Sequence, residues 1–244
     1  LYREDALVVG AARRLQRPVF WAADRGESFL SDEHARAVSG TASLGLDKDG
    51  NFTALWVDAH IDAGAYLSRR TKGLLNNMGG VAGQYKTPAI ATQMSFFFTN
   101  TMQTSPYRGF GRPEATYVIE RLIDQAARET GRDALALRQQ NLVSPDAMPY
   151  QTALTFQYDC GDFPRIVAAA AKNADYAGFA GRRKDSETRG LLRGIGIANP
   201  IEVAGGPLKQ VRKDIARITV RPDGQIVITP GLMSVGQGHE TALA

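Results

Sequence analysis

The segment that decides the fold covers residues 106–143 and reads PYRGFGRPEATYVIERLIDQAARETGRDALALRQQNLV. It begins as a glycine-containing loop and continues as an amphipathic helix, because its apolar side chains recur with the 3.6-residue helical period. The predicted buried face holds Ala115, Ile119, Leu122, Ile123 and Ala126, and the opposite face holds Glu120, Arg121, Asp124 and Arg128.

Both ends of this helix carry recognisable signals. Pro113 suits the first helical turn, and Gly131 is a natural stop. Asp133 then caps a second, short helix that ends near Asn141.

The rest of the chain mixes strand and helix patterns. Turn residues between apolar runs predict two β-hairpins, at 41–46 with 52–61 and at 216–220 with 225–229. Single strands are predicted at 19–21, 94–98 and 194–198, further helices at 5–15 and 163–171, and an exposed polar linker at 180–189. The fold class is therefore α+β or mixed α/β, with helices packed on mixed sheets. A boundary within 160–190 divides it into domains 1–160 and 161–244.

The composition excludes several classes of protein. A hydrophobic content of 43% with 22% charged residues is ordinary for a globular chain. The net charge of +4 is spread along the sequence without a basic stripe interleaved with aromatics, which disfavours nucleic-acid binding. The single cysteine, Cys160, excludes an internal disulfide and is expected to be buried. Three histidines with one cysteine are too few and too scattered for a structural zinc site.

Two glycine-rich loops could carry chemistry, and each leads into a predicted helix. In the first, residues 106–114, glycines allow close approach to a ligand and arginines can bind an anion such as a phosphate. Phe110, between two glycines, is a candidate stacking surface. In the second, residues 231–238, Gln237 offers an amide donor and acceptor. Such loops also occur merely as tight turns, and spacing alone does not decide between the two readings.

The sequence resembles the molybdenum-cofactor subunit of the molybdenum hydroxylases, the xanthine dehydrogenase and aldehyde oxidase family. Residues 106–143 resemble the family's stretch in which an aromatic-Arg-Gly-Phe/Ala-Gly loop precedes a long helix. SVGQGHETALA, residues 234–244, resembles its pterin-contacting Gly-Gln-Gly loop, and residues 4–29 and 99–115 extend the match. The resemblance implies parts of two molybdopterin-binding domains, the first lacking its N-terminal part and the second its C-terminal part.

The resemblance also implies a cofactor and partners. In this family molybdenum is held by a pterin dithiolene, here expected as the cytosine dinucleotide form, with no protein ligand to the metal. Water supplies the oxygen for hydroxylation, and electrons leave through iron–sulfur clusters to FAD on partner subunits or domains. The chain is expected in the cytoplasm, or in the periplasm if a partner carries an export signal. No membrane span is expected.

The resemblance assigns roles to individual residues. It implies cofactor contacts for Arg108 and Gly109, and for Gly236, Gln237 and Gly238. It implies that Phe110 faces the substrate.

No catalytic residue is expected within the chain. The family's Gly-Gly-Phe-Gly loop is expected before Leu1, and its catalytic glutamate after Ala244. Glu240 is expected to cap a helix and not to act as the base. The 244-residue chain alone is therefore expected to show no turnover.

Four functional hypotheses stay open. Hydroxylation of an aldehyde or N-heteroaromatic ring is preferred, because the aromatic Phe110 suits a planar substrate. One alternative is a large subunit like those of the related carbon monoxide dehydrogenases but without the copper-binding cysteine of their corresponding loop, since residues 107–112 contain none. The other two alternatives are a non-catalytic module that binds an anionic ligand and a structural domain with ordinary turns. Both are compatible with the same glycines.

Overall fold

The computed structural model describes residues 3–67, 73–202, 215–232 and 237–243. The helices are α1 (Arg3–Leu15), α2 (Arg25–Ser31), α3 (Gly73–Met78), α4 (Arg112–Thr130), α5 (Ala134–Asn141), α6 (Phe163–Asn173), α7 (Phe179–Thr188) and α8 (His239–Ala242). The strands are β1 (Val38–Leu46), β2 (Phe52–Gly64), β3 (Ala89–Phe98), β4 (Tyr150–Gln151), β5 (Gln157–Tyr158), β6 (Ala216–Val220) and β7 (Ile226–Pro230). Across these ranges, no helix is both long enough and apolar enough to cross a membrane.

The main sheet has the strand order β1-β2-β3. β1 and β2 form the predicted antiparallel hairpin, and β3 pairs parallel to β2 on its other side. The hairpin turn is closed by Asp47, whose carboxylate accepts the amides of Asp49 and Asn51 at 2.9 Å each. These hydrogen bonds also lower the pKa of Asp47, the side-chain and backbone bonds from Asn51 most of all.

The core forms on one face of this sheet. Alternate residues of β2 are buried, namely Leu55, Val57, Ala59, Ile61 and Ala63. α4 packs across β1 and the buried turn Gly79–Ala82, with Ile119 and Ile123 fully buried. Burying such side chains contributes roughly 1.5–3 kcal/mol each. The apolar face of α4 therefore holds the helix against the sheet, and this fixes the position of its first turn.

Glu120 was predicted on the polar face of α4, and this was wrong because its side chain is buried. Its carboxylate accepts Arg138 Nε of α5 at 2.8 Å and the Tyr85 hydroxyl at 2.7 Å. Arg138 is 0% exposed and also donates to Asp124 Oδ1 at 2.8 Å. Burial opposes the charge of Arg138, but Glu120, Tyr85 and Asp124 together outweigh it and raise the pKa of the guanidinium. The helical period locates a face correctly but does not reveal a charged partner on another helix.

The same network also forms hydrogen bonds with the segment that follows α7. Arg138 donates to the carbonyl of Ile197 at 3.2 Å, and Asn199 Nδ2 donates to the Tyr85 hydroxyl at 2.9 Å. Residues 194–198 were predicted as a strand, but they form none and pair with no strand of the described sheets. Side-chain donors hold this segment in place of a β-ladder.

Three further predictions were wrong. Residues 19–21 form no strand, and Phe20 is 90% exposed. Residues 180–189 were predicted as an exposed linker but belong largely to α7, where Arg183 pairs with Glu187 one turn along. Cys160 is exposed and not buried.

The chain divides into two compact units, Leu1–Ile201 and Glu202–Ala244. The described part of the second unit contains the predicted hairpin β6–β7 and the single turn of α8. The turn between β6 and β7 is closed by the amide of Gly224 donating to the carbonyl of Arg221 at 2.9 Å. The predicted division at residues 160–161 stays a prediction.

Candidate functional site

The first glycine loop makes a left-handed bend immediately before α4. Its φ angles are +91° at Gly109, +27° at Phe110 and +89° at Gly111. Positive φ is strained for a residue with a side chain, so Phe110 is held there by the surrounding contacts. A Cβ added to Gly109 would lie 2.7 Å from Pro113 Cγ, so this position also needs glycine for space.

Arg36 anchors this loop from a distant part of the chain. One guanidinium nitrogen donates to the carbonyl of Arg108 at 2.6 Å, and the other lies 3.3 Å from Glu114 Oε2. The same guanidinium lies over the ring of Tyr107, with 5.2 Å to the centroid. The sequence alone does not point to Arg36, because 72 residues separate it from Arg108. Its own φ of +62° is a structural signal that no sequence pattern revealed.

Glu114 occupies the start of α4, where an anion was expected. Its carboxylate accepts the amide of Gly111 at 3.0 Å, a side chain capping its own helix. The amides of Phe110 and Arg112 are bound within the loop, to Tyr107 and Gly109. An external anion at this end therefore has to be met mainly by side chains, and Arg108 is exposed.

Phe110 packs beside a glycine from another segment. Its ring leaves no room for a side chain at Gly73, where an added Cβ would lie 2.9 Å from Cε1. Its carbonyl accepts Asn77 Nδ2 at 2.6 Å. The half-buried ring also borders a cavity of about 20 Å³, together with Asp62 and Glu114. That volume accommodates about one water molecule, so any larger ligand would have to meet Phe110 elsewhere.

A larger groove opens beside the same anchoring residues. It measures about 780 Å³ and lies between β1 and α4, with Arg36, Glu114, Tyr117 and Arg121 in its lining. Its size falls within the range of small-molecule sites.

The second glycine loop belongs to the other compact unit. Gly238 has a φ of +72° and immediately precedes α8, whose first turn is closed by the Thr241 amide donating to the Gly238 carbonyl at 3.0 Å. Gln237 is exposed, and Glu240 lies in the first turn of α8, where its capping role stays a prediction. Gly236 lies outside the described residues. The convergence of the two loops on one ligand stays a prediction.

The described residues include no group of three or more histidine, cysteine, aspartate or glutamate side chains that could hold a metal ion. The first loop presents the exposed guanidinium of Arg108 beside a backbone that Gly109 and Gly111 keep free of side chains. A guanidinium fits an anionic organic ligand such as a pterin phosphate.

Comparison with known proteins identifies the class. Two models described as molybdopterin cofactor-binding domain match the chain, one over residues 1–142 and the other over residues 169–244. The chain therefore belongs to the molybdopterin cofactor-binding family, whose members include xanthine dehydrogenase and carbon monoxide dehydrogenase large chains.

Individual relatives agree with this assignment. The chain is 29% identical to the 6-hydroxypseudooxynicotine dehydrogenase complex subunit gamma of Paenarthrobacter nicotinovorans, matching 100% of this chain and 31% of that protein. It is 30% identical to the carbon monoxide dehydrogenase large chain of Hydrogenophaga pseudoflava, over 100% of this chain and 32% of that one. Quinoline 2-oxidoreductase from Pseudomonas putida 86 aligns with a TM-score of 0.86 and 30% identity, over 98% of this chain and 32% of its own. The chain thus spans about a third of the length of these relatives.

Proposed function

We propose that this chain is part of the large subunit of a molybdenum hydroxylase that hydroxylates an N-heteroaromatic ring or an aldehyde, with oxygen taken from water. The observation that carries the proposal is the bend at residues 108–111. It presents the exposed Arg108 next to the half-buried ring of Phe110, within a family match that covers the loop.

The cofactor is molybdopterin, in its cytosine dinucleotide form. When bound, it supplies a molybdenum centre that takes up the electron pair removed from the substrate. Arg108 binds a phosphate of the cofactor through paired hydrogen bonds, and Gly109 lets the backbone approach. In the second loop, Gln237 bonds the pterin, flanked by Gly236 and Gly238.

The substrate is planar and electron-poor. Phe110 is rigidly held by its backbone contacts, and an aromatic face favours a flat ring over a bulky aliphatic group. Relatives named for nicotine 6-hydroxylation and for quinoline oxidation agree with an N-heteroaromatic substrate. A copper-dependent carbon monoxide oxidation is disfavoured, since residues 107–112 contain no thiol and Cys160 lies elsewhere in the chain.

The complete enzyme works with partners. Iron–sulfur and FAD subunits carry the electrons away, and the rest of the large subunit supplies the catalytic glutamate. The proposed compartment is the cytoplasm, with the periplasm possible through the export signal of a partner.

The test uses the complete large subunit purified with its neighbouring subunits. We expect molybdenum and released pterin in equal amounts, together with oxidation of quinoline or nicotine. The alternative, a module that binds an anionic ligand without redox chemistry, predicts neither molybdenum nor pterin after intact maturation. That outcome would reject the proposal.

Two variants test the proposed roles of the two loops separately. Gln237→Ala is expected to lower cofactor content or rate, by roughly 10-fold for a hydrogen bond to a ligand. Phe110→Ala is expected to change mainly the ratio of kcat/KM between quinoline and a small aldehyde. Trp21→Ala, at an exposed position outside both loops, is the control. Unchanged kinetics and cofactor content in both loop variants would contradict these roles.

A further inference from the structure

We infer that Arg36 is a positioning residue, which holds the Arg108–Phe110 loop in the conformation that meets cofactor and substrate. This inference rests on the proposed function for its consequence in catalysis. Its structural part, the restraint of the loop by Arg36, is independent of that function.

The contacts of Arg36 reach both ends of the bend. The carbonyl of Arg108 accepts one guanidinium nitrogen at 2.6 Å, and this carbonyl belongs to the peptide that leads into Gly109. Glu114 lies on the far side of the bend, and its Oε2 is 3.3 Å from the other guanidinium nitrogen. A planar guanidinium with several fixed donors can bridge the two groups, whereas a single ammonium cannot match both directions.

Glu114 passes this restraint to the backbone. The carboxylate oxygen that faces Arg36 also accepts the amide of Gly111 at 3.0 Å. Arg36, Glu114 and Gly111 thus form a chain of contacts that closes the loop onto the first turn of α4. Phe110 lies between the two anchored points, so they fix the backbone from which its ring projects.

The environment allows this restraint to be effective. The side chain of Glu114 is 10% exposed and that of Arg36 is 35% exposed, so solvent screens the pair only in part. The ring of Tyr107 covers one face of the guanidinium. The backbone of Arg36 is itself held at φ +62°, which fixes the direction from which the side chain enters.

The chain contains a matched control for this contact. Arg132 also donates to a backbone carbonyl, that of Lys48, at 2.9 Å. It does so at the hairpin turn 47–51, which has no proposed role in binding.

The experiment measures hydrogen–deuterium exchange in the full-length subunit with its partners, for Arg36→Met, Arg36→Lys and Arg132→Met. In Arg36→Met we expect about 10-fold faster exchange in the peptide covering 107–114, as for loss of a hydrogen bond to a charged group. Arg36→Lys keeps the charge opposite Glu114 and should fall between wild type and Arg36→Met. Arg132→Met should accelerate exchange only around 47–51.

Kinetics supplies a second readout that a purely structural role would not move. With quinoline, Arg36→Met should raise KM by roughly 10-fold while the melting temperature stays near that of wild type, because a displaced loop loses binding geometry. Partial recovery in Arg36→Lys is expected.

The outcomes separate the two proposals. Equal exchange of peptide 107–114 in wild type and Arg36→Met would overturn the positioning role, as would equal acceleration there in Arg132→Met. A wild-type protein that lacks molybdenum and pterin would overturn the proposed function, while the exchange data would still decide on Arg36.

Discussion

Helix α4 carries two glutamates that each meet an arginine from another part of the chain, in contrasting surroundings. Glu120, in the middle of the helix, contacts Arg138, and both side chains are almost fully buried. Glu114, in the first turn, contacts Arg36 at a partly exposed loop. The buried pair holds two helices and the 197–199 segment together, whereas the partly exposed pair holds one loop in a strained shape. The same chemistry thus secures the fold at one place and the geometry of a site at the other.

The largest expected effect comes from breaking the buried pair. Arg138→Met leaves the Glu120 carboxylate buried without its cation, which should lower the free energy of unfolding by about 3–5 kcal/mol. Urea denaturation measures this. The double variant Glu120→Gln with Arg138→Met should lose less than the sum of the single variants, because no unpaired charge remains. A loss below about 1 kcal/mol in Arg138→Met would contradict the role of the network.

A smaller effect is expected from pH at the same network. Burial, followed by the negative charge of Glu120, raises the pKa of Tyr85 above its ordinary value of 10.0. Below pH 10 the folded and unfolded chains both keep the phenol proton. Above it the unfolded chain loses the proton first, so stability falls as pH rises, by up to about 1.4 kcal/mol per pH unit.

Tyr85→Phe tests this dependence. The variant loses the hydrogen bonds to Glu120 and Asn199 and should be less stable at pH 7 by about 1–3 kcal/mol. Between pH 10 and 11 its stability should decline less steeply than that of wild type. Stability is measured by urea unfolding at both pH values. An equal loss of stability from pH 10 to 11 in the variant and in wild type would count against a buried, protonated Tyr85.

The smallest effect on stability is expected at the partly exposed pair of Arg36 and Glu114. Glu114→Gln keeps an oxygen to accept the Gly111 amide but loses the charge opposite Arg36, so the free energy of unfolding should change by less than about 1 kcal/mol. Thermal unfolding measures this, with Glu129→Gln at the exposed end of α4 as the control. A change as large as that of Arg138→Met would remove the distinction between the two pairs.

Sequence periodicity predicted the elements whose formation depends on local pattern. The helix α4, its stop at Gly131 and the cap at Asp133 follow from residues within a few positions of one another. Both hairpins follow from their turn residues. Hydrogen bonds among residues 47–51 close the turn of the first hairpin, so its own residues sufficed to predict it, although Arg132, Gln140 and Asn141 also contact it.

The errors arose where a distant partner decides the outcome. Glu120 was placed on the solvent side, because the helical period contains no information about Arg138 on the next helix. An apolar triplet at 19–21 resembles a buried strand, yet no strand of the described sheets pairs with it.

The candidate site shows the same division. The glycines of the first loop were visible in the sequence, and their positive φ angles agree with a bend that needs them. The anchor at Arg36 and the packing of the Phe110 ring against Gly73 depend on contacts across the fold, so only the structure reveals them. It also shows that Glu114 takes the amide that the sequence offered to a ligand.

The mixed pairing of β2 has a consequence for how the chain folds. Only a short turn separates it from β1, so the hairpin can form early, at a small cost in chain entropy. Its parallel contacts with β3 require a long crossover from Gly64 to Ala89 before the first bond forms. We expect the hairpin to form while later residues are still being synthesised, with β3 and then α4 docking in a slower step.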